Sequence, residues 1–255
     1  MNIGGFQSFT LIDYPNKMAC IVFTQGCDFR CPYCQNPELV LGTAKSIPQE
    51  EIISFLWKRR GMLEGVVISG GEPTIQRDLE DFVKRIKDMG YLVKLDTNGH
   101  NPHVIQRLID LLDYVAMDVK APLYKYEEVV RAKADVKRIE ESIRLIMERA
   151  KDYEFRTTVV KELLSEENLL QIGGLIKGAK RYYLQRFNPR KTLDPSYRQK
   201  TTYTEEELKN LALRLKEYVK AFTYFPKWPF YNRNFFLNSL YKTITTLYHI
   251  LTIIS

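Results

Sequence analysis

Residues 18–36 read MACIVFTQGCDFRCPYCQN. An apolar, β-branched run (18–25) passes into a loop that carries Cys27, Cys31 and Cys34 in the spacing C-x3-C-x2-C, with Pro32 inside it. A short continuous apolar segment closed by Gly and Pro has the length and texture of a buried strand. The cysteine loop is then the turn that leaves this strand.

Five more runs of the same kind follow: GVVIS (65–69), YLVKLDT (91–97), YVAMDV (114–119), EFRTTVV (154–160) and RYYLQRF (181–187). Amphipathic stretches of helical period separate them, at 48–60, 77–89, 102–112, 134–150 and 165–179. Strands alternating with helices of this length predict βαβ units and a parallel sheet. The expected fold is α/β, six units curving into a partial, open (β/α)6 barrel. Ser165 with Asn168, and Thr204 with Glu207, read as helix starts, the second opening a closing helix over 204–222. Residues 1–222 are read as one domain with a short N-terminal β segment (3–15), and 223–255 as an atypical aromatic tail. From 224 onward there is no Asp, Glu or Gly, and there are nine aromatic residues. The final apolar stretch, near 243–254, falls short of the ~20 residues a membrane span needs.

Composition narrows the function classes. The chain has 255 residues, 45% hydrophobic and 27% charged, enough for a sizeable core. Its net charge of +7 is spread over helices beside acidic residues, as in KRIEESIRLIMERAKDYE, which argues against a nucleic-acid footprint. The opening MNIGGFQSFTLIDYP lacks the pattern of a secretory signal, so a cytoplasmic location is expected. Four cysteines do not make a disulfide framework, and clustered ones point to metal or redox chemistry.

In parallel α/β folds, ligands bind at the carboxyl ends of the strands. The unusual residues collect there. The first strand ends in Gln25-Gly26-Cys27 and the second in Ser69-Gly70-Gly71-Glu72-Pro73. The third ends in Asp96-Thr97-Asn98-Gly99 and the fourth in Asp118-Val119-Lys120. A structural zinc site wants four ligands, yet His100, His103 and His249 all lie far along the chain from the cysteine triplet. Cys20 falls inside the first strand and reads as a small buried hydrophobe. A [4Fe–4S] cluster held by three thiolates would keep one iron open to a small ligand. A zinc-bearing or redox adaptor without catalysis is the reading from another class.

The cysteine loop, with Tyr33 just before its last cysteine, resembles the cluster motif of the radical S-adenosylmethionine enzymes. The Gly-Gly-Glu-Pro at the next strand end is similar to that family's second motif. The resemblance implies that Cys27, Cys31 and Cys34 hold one [4Fe–4S] cluster and that its open iron chelates S-adenosylmethionine. It implies reductive cleavage to a 5′-deoxyadenosyl radical that abstracts a hydrogen atom. Tyr33, Gly70, Gly71 and Glu72 would then bind the cofactor, the glycines by letting the backbone approach its methionine part. Asp96, Asn98, Asp118 and Lys120 are the expected contacts for its ribose and carboxylate. Arg156, Gln185 and Arg186 are further candidates, while His100 and His103 read as loop and helix-start residues.

Residues 4–40, with DTNG (96–99), MDVKAP (117–122) and YYLQRFNPRKTLDPSY (182–197), are similar in order to the glycyl-radical-enzyme activating proteins. The likeness covers roughly residues 1–222 and is to the form that serves anaerobic ribonucleoside-triphosphate reductase. It implies that a glycine α-hydrogen on such a partner is the target. Gln35 departs from the histidine usual after the last cysteine. No ferredoxin-like insertion with extra cysteines follows the first motif, so one cluster and an external reductant, flavodoxin or ferredoxin, are expected. The rival within the same chemistry is a small-molecule enzyme of the deazapurine synthase kind, although that group often lengthens the first cysteine spacing.

Overall fold

The computed structural model describes residues 1–225. The tail expectation for the residues beyond lies outside the described residues. Eight strands follow one another in the sheet in chain order. They are β1 (Ile3–Thr10), β2 (Ala19–Thr24), β3 (Gly65–Gly70), β4 (Leu92–Thr97), β5 (Tyr114–Asp118), β6 (Tyr153–Val159), β7 (Arg181–Arg186) and β8 (Ala221–Phe225). β1 runs antiparallel to β2, and every later pair is parallel. β1 and β8 are both edges, so the barrel is open on one side.

Helices cross between the strands: α1 (Pro37–Leu41), α2 (Gln49–Lys58), α3 (Leu79–Asp88), α4 (Pro102–Leu108), α5 (Tyr126–Val130), α6 (Val136–Arg149), α7 (Glu166–Leu175) and α8 (Glu205–Leu215). Their apolar stripes explain the packing. In α3, Leu79, Phe82, Val83 and Ile86 are buried against the sheet, while the acidic first turn and basic last turn suit the helix dipole. Each such side chain contributes about 1.5–3 kcal/mol through burial. Capping boxes at Ser165 with Asn168 and at Thr204 with Glu207 start α7 and α8 as the sequence predicts.

The six expected strands all form. One reading needs correction: the closing helix does not run to 222. It stops at Leu215, and Ala221–Phe225 becomes β8, entered through bonds from Lys220 N to Ala179 O and Ala221 N to Lys180 O. The apolar residues of EYVKAF satisfy a helical period and a strand alike, and the bonds to the start of β7 decide for the strand. β8 therefore spans the position at 222 where the sequence reading ended the domain.

Side chains of the sheet alternate between two environments. Cys20, Val22, Val66, Ile68, Val93 and Leu95 join the large core under the helices. Tyr14, Ile21, Val67, Tyr114 and Ala116 form a small apolar cluster inside the barrel. Among the described residues, no helix is long and apolar enough to cross a membrane.

Candidate functional site

A cavity of about 220 Å³ opens at the carboxyl ends of the parallel strands, and its wall includes Cys27, Cys31 and Cys34. Tyr33, Gly70, Gly71, Glu72, Asp96, Asn98, Asp118 and Lys120 line the same cavity. Every residue expected to hold the cluster or to bind the cofactor is thus on one cavity wall. Arg156 and Gln185 line it as well, and Arg186 does not. Gln35 is on the wall and donates to Asn188 O at 3.4 Å.

The cysteine loop is anchored through its backbone. Arg30 N donates to Val130 O at 2.8 Å, and Asp194 N donates to Pro32 O at 2.9 Å. Phe29 N donates to Cys27 Sγ at 3.4 Å. Burial pushes all three thiols upward, Cys31 to about 11. Iron would therefore have to displace protons on binding. Among the described residues, no three His, Cys, Asp or Glu side chains are gathered closely enough to share one metal ion. The thiols border a cavity instead, an arrangement that suits a cube in which each thiolate takes a different iron. Cys20 is fully buried under the helices, its thiol pushed by desolvation up to about 12.

The Gly-Gly-Glu loop lines the cavity and also packs against a neighbouring segment that leaves no space for a Cβ. Gly70 has φ +125°, and a Cβ there would stand 2.3 Å from Thr24 N. A Cβ on Gly71 would meet Gly26 O at 1.9 Å. The loop is pressed against the start of the cysteine loop, with Glu72 N donating to Gly26 O at 2.8 Å. Glu72 itself is 1% exposed. Its carboxylate accepts from Thr74 N at 3.1 Å, Thr97 Oγ1 at 2.7 Å and Asn98 N at 2.7 Å. Desolvation, with Asp28 nearby, raises its pKa to about 7 in spite of those donors.

Also on the cavity wall, Arg156 of β6 reaches Asp118 Oδ1 through Nε at 2.8 Å and Asp96 Oδ2 through Nη1 at 3.4 Å. Lys120 Nζ lies 3.2 Å from Asp118 Oδ2, and the buried Lys94 lies 2.5 Å from Asp96 Oδ1. Burial works against the Asp118 charge, but Arg156 and Lys120 outweigh it and hold the pKa at about 2. Asp96 is lowered in the same way by Arg156 and Lys94. Desolvation opposes the Lys120 charge too, and Asp118 holds it protonated regardless.

Several contributors escape the sequence reading. Lys94 and Thr97 belong to the inward and loop-facing sets of β4, and strict alternation along YLVKLDT would have found Lys94 beside Asp96. Asp28 and His100 join across 72 residues of sequence, with Asp28 Oδ2 and His100 Nδ1 2.8 Å apart. No spacing rule in the chain points to that pair.

The family model described as the radical SAM superfamily matches residues 21–172. A putative glycyl-radical enzyme activating enzyme, MJ1227 of Methanocaldococcus jannaschii, is 36% identical over 227 residues, covering 85% of this chain and 92% of that protein. Pyruvate formate-lyase-activating enzyme of Clostridium pasteurianum is 32% identical over 124 residues, covering 46% of this chain and 52% of that protein. Among solved structures, Streptococcus suis SuiB bound to S-adenosylmethionine superposes with a TM-score of 0.62 at 15% identity, over 80% of this chain and 49% of that one. At that identity the likeness is one of fold.

Proposed function

Because this chain belongs to the radical SAM superfamily, we propose that it activates a glycyl radical enzyme, with anaerobic ribonucleoside-triphosphate reductase as the partner. Members of the family work with a [4Fe–4S] cluster and S-adenosylmethionine. The single observation that carries the reading is the meeting of three cysteines, the Gly-Gly-Glu loop and the polar ends of β4 and β5 on one cavity wall. The 36% identity to a protein named as a putative activating enzyme supplies the reaction class. The likeness of residues 182–197 to the reductase-activating form supports the choice of partner.

In this reading Cys27, Cys31 and Cys34 hold the cluster, leaving one iron for the amine and carboxylate of the cofactor. Bound together, the two groups would supply one-electron reductive cleavage of the cofactor's sulfonium C–S bond and, through it, abstraction of a glycine α-hydrogen on the partner. The chain's own part is to bind, orient and exclude water. Lys120, kept charged by Asp118, offers a cation to a carboxylate. Asp96, Asn98 and Asp118 present polar atoms for hydroxyl groups, and Tyr33 closes the wall beside the cysteines. Glu72 acts through its neighbours, tying the third strand end to the second loop. The open barrel side between β1 and β8 gives a macromolecular loop a way in. Residues 35–69 contain no cysteine, which fits a single cluster reduced by an external flavodoxin or ferredoxin.

The test is to mix the reduced, cofactor-loaded protein with the reductase and, separately, with a formate-lyase-type enzyme. A glycyl radical doublet in the electron paramagnetic resonance spectrum of the reductase is expected. A doublet with only the other enzyme would move the partner assignment, and turnover of a small molecule with no doublet would replace the reading.

A further inference from the structure

Asp28 follows Cys27 directly, and its carboxylate is fixed on both oxygens. Oδ1 accepts from Asn98 Nδ2 at 2.7 Å and lies 3.9 Å from Cys27 Sγ. Oδ2 stands 2.8 Å from His100 Nδ1. The other imidazole nitrogen, Nε2, accepts the backbone N–H of Asp135 at 3.1 Å. That second bond places the proton. A nitrogen that accepts carries no hydrogen, so Nδ1 is the protonated one and donates to Asp28. The ring is therefore neutral. It is also held in position, with the Phe29 ring centroid 5.1 Å away and a side-chain exposure of 14%.

This environment differs from that of the other carboxylates at the mouth. Asp96 and Asp118 face Arg156, Lys94 and Lys120. Asp28 has hydrogen-bond partners that are an amide and a neutral imidazole. Its charge is oriented by them and not cancelled.

We infer that Asp28, held by His100, is a fixed negative charge that lowers the reduction potential of the cluster bound through Cys27. The inference rests on the reading of Cys27 as a cluster ligand. Net charge and hydrogen bonds to sulfur both set the potential of an iron–sulfur centre. An anion at this distance opposes the arrival of an electron, so the reduced centre becomes a stronger donor. The Phe29 N–H on Cys27 Sγ acts in the opposite sense, but it is one long neutral bond against a full charge. His100 is thus a positioning residue that acts through Asp28.

The experiment is a redox titration of the full chain, reconstituted without oxygen and without cofactor or partner, followed by electron paramagnetic resonance. Asp28→Asn, at undiminished iron content, shifts the midpoint potential to a more positive value. His100→Ala, which leaves the carboxylate but frees it, shifts it the same way. His100→Gln, able to donate and accept like the neutral ring, returns it toward the wild-type value. Equal potentials for wild type and Asp28→Asn would overturn the inference. Should Asp28→Asn not take up iron, the two His100 variants decide: different potentials support it, and identical ones overturn it. Nitrogen NMR of His100 gives a reading apart from the cluster, and a doubly protonated ring at pH 8 would overturn it. A wild-type chain that takes up no cluster defeats the ligand reading instead, a different result from a cluster whose potential ignores Asp28.

Discussion

Arg156 on β6 holds Asp118 on β5 through an Nε bond of 2.8 Å, and the same guanidinium extends to Asp96 on β4. One side chain thereby fixes the carboxylates at two neighbouring strand ends. Its side chain is only 14% exposed, so water does little to screen the pairing.

Arg156→Ala strands two half-buried carboxylates. Removing one partner of a buried ion pair costs about 3 kcal/mol or more, because the remaining charge keeps its desolvation penalty. Chemical denaturation at pH 7 should show a loss of that size. The loss should shrink below pH 4, where Asp96 and Asp118 take up protons in the variant. A penalty independent of pH would mean that packing, not charge, is what Arg156 provides.

Glu72 predicts a pH slope of the opposite sign to Asp118. Its pKa of about 7 stands above the ordinary 4.5, so the folded protein keeps a proton that the unfolded chain releases between those values. Its contribution is present below pH 4.5, is lost as pH rises through 7, and is constant above that. Asp118, held at about 2 against 3.8, contributes above pH 4 and fades as pH falls toward 2. Denaturant midpoints between pH 5 and 7.5 for the wild type and Glu72→Gln test the first claim. The variant should be flatter across that window.

Replacing Cys27, Cys31 or Cys34 by alanine should abolish deoxyadenosine formation and reduce bound iron from the about four atoms of one cube. Cys20→Ala should keep both, with a stability cost of about 1 kcal/mol for the small cavity. Iron and sulfide analysis of oxygen-free protein makes the comparison. Full activity in any of the three variants would remove that residue from the ligand set.

Gly71→Ala carries no lost functional group, only a methyl directed at Gly26 O. The loop must yield, at a cost of about 2 kcal/mol in strain. Because the atom it meets precedes Cys27, cluster retention should fall although every cysteine remains. Circular dichroism with iron content separates a displaced loop from global unfolding.

Much of the architecture could be read from the chain because the strands alternate with helices of distinct period, and each apolar run became a strand within a residue or so of expectation. β8 was hidden because EYVKAF satisfies two periods, and only its pairing with β7 resolves them. The wall of the site was legible for a related reason: in a parallel sheet the strand ends share one face, so chain order alone gathers Cys27, Glu72, Asp96 and Asp118. The pairings were less so. Arg156 was a candidate, but its hold on Asp118 and Asp96 is a distance across the sheet, which local spacing does not write, and Lys94 was missed although alternation along β4 sets it beside Asp96. The glycines show a second constraint that the sequence does not display: besides lining the cavity, Gly70 and Gly71 leave room for Thr24 and Gly26.

The bonds from Arg30 to Val130 and from Asp194 to Pro32 impose an order on biogenesis. A nascent chain that has just exposed its three thiols lacks the segments that brace them, because those are translated a hundred and more residues later. The binding loop reaches its final shape only once nearly the whole barrel has left the ribosome. A polypeptide ending before Asp194 would present the motif without the bond from Asp194 N to Pro32 O that braces it.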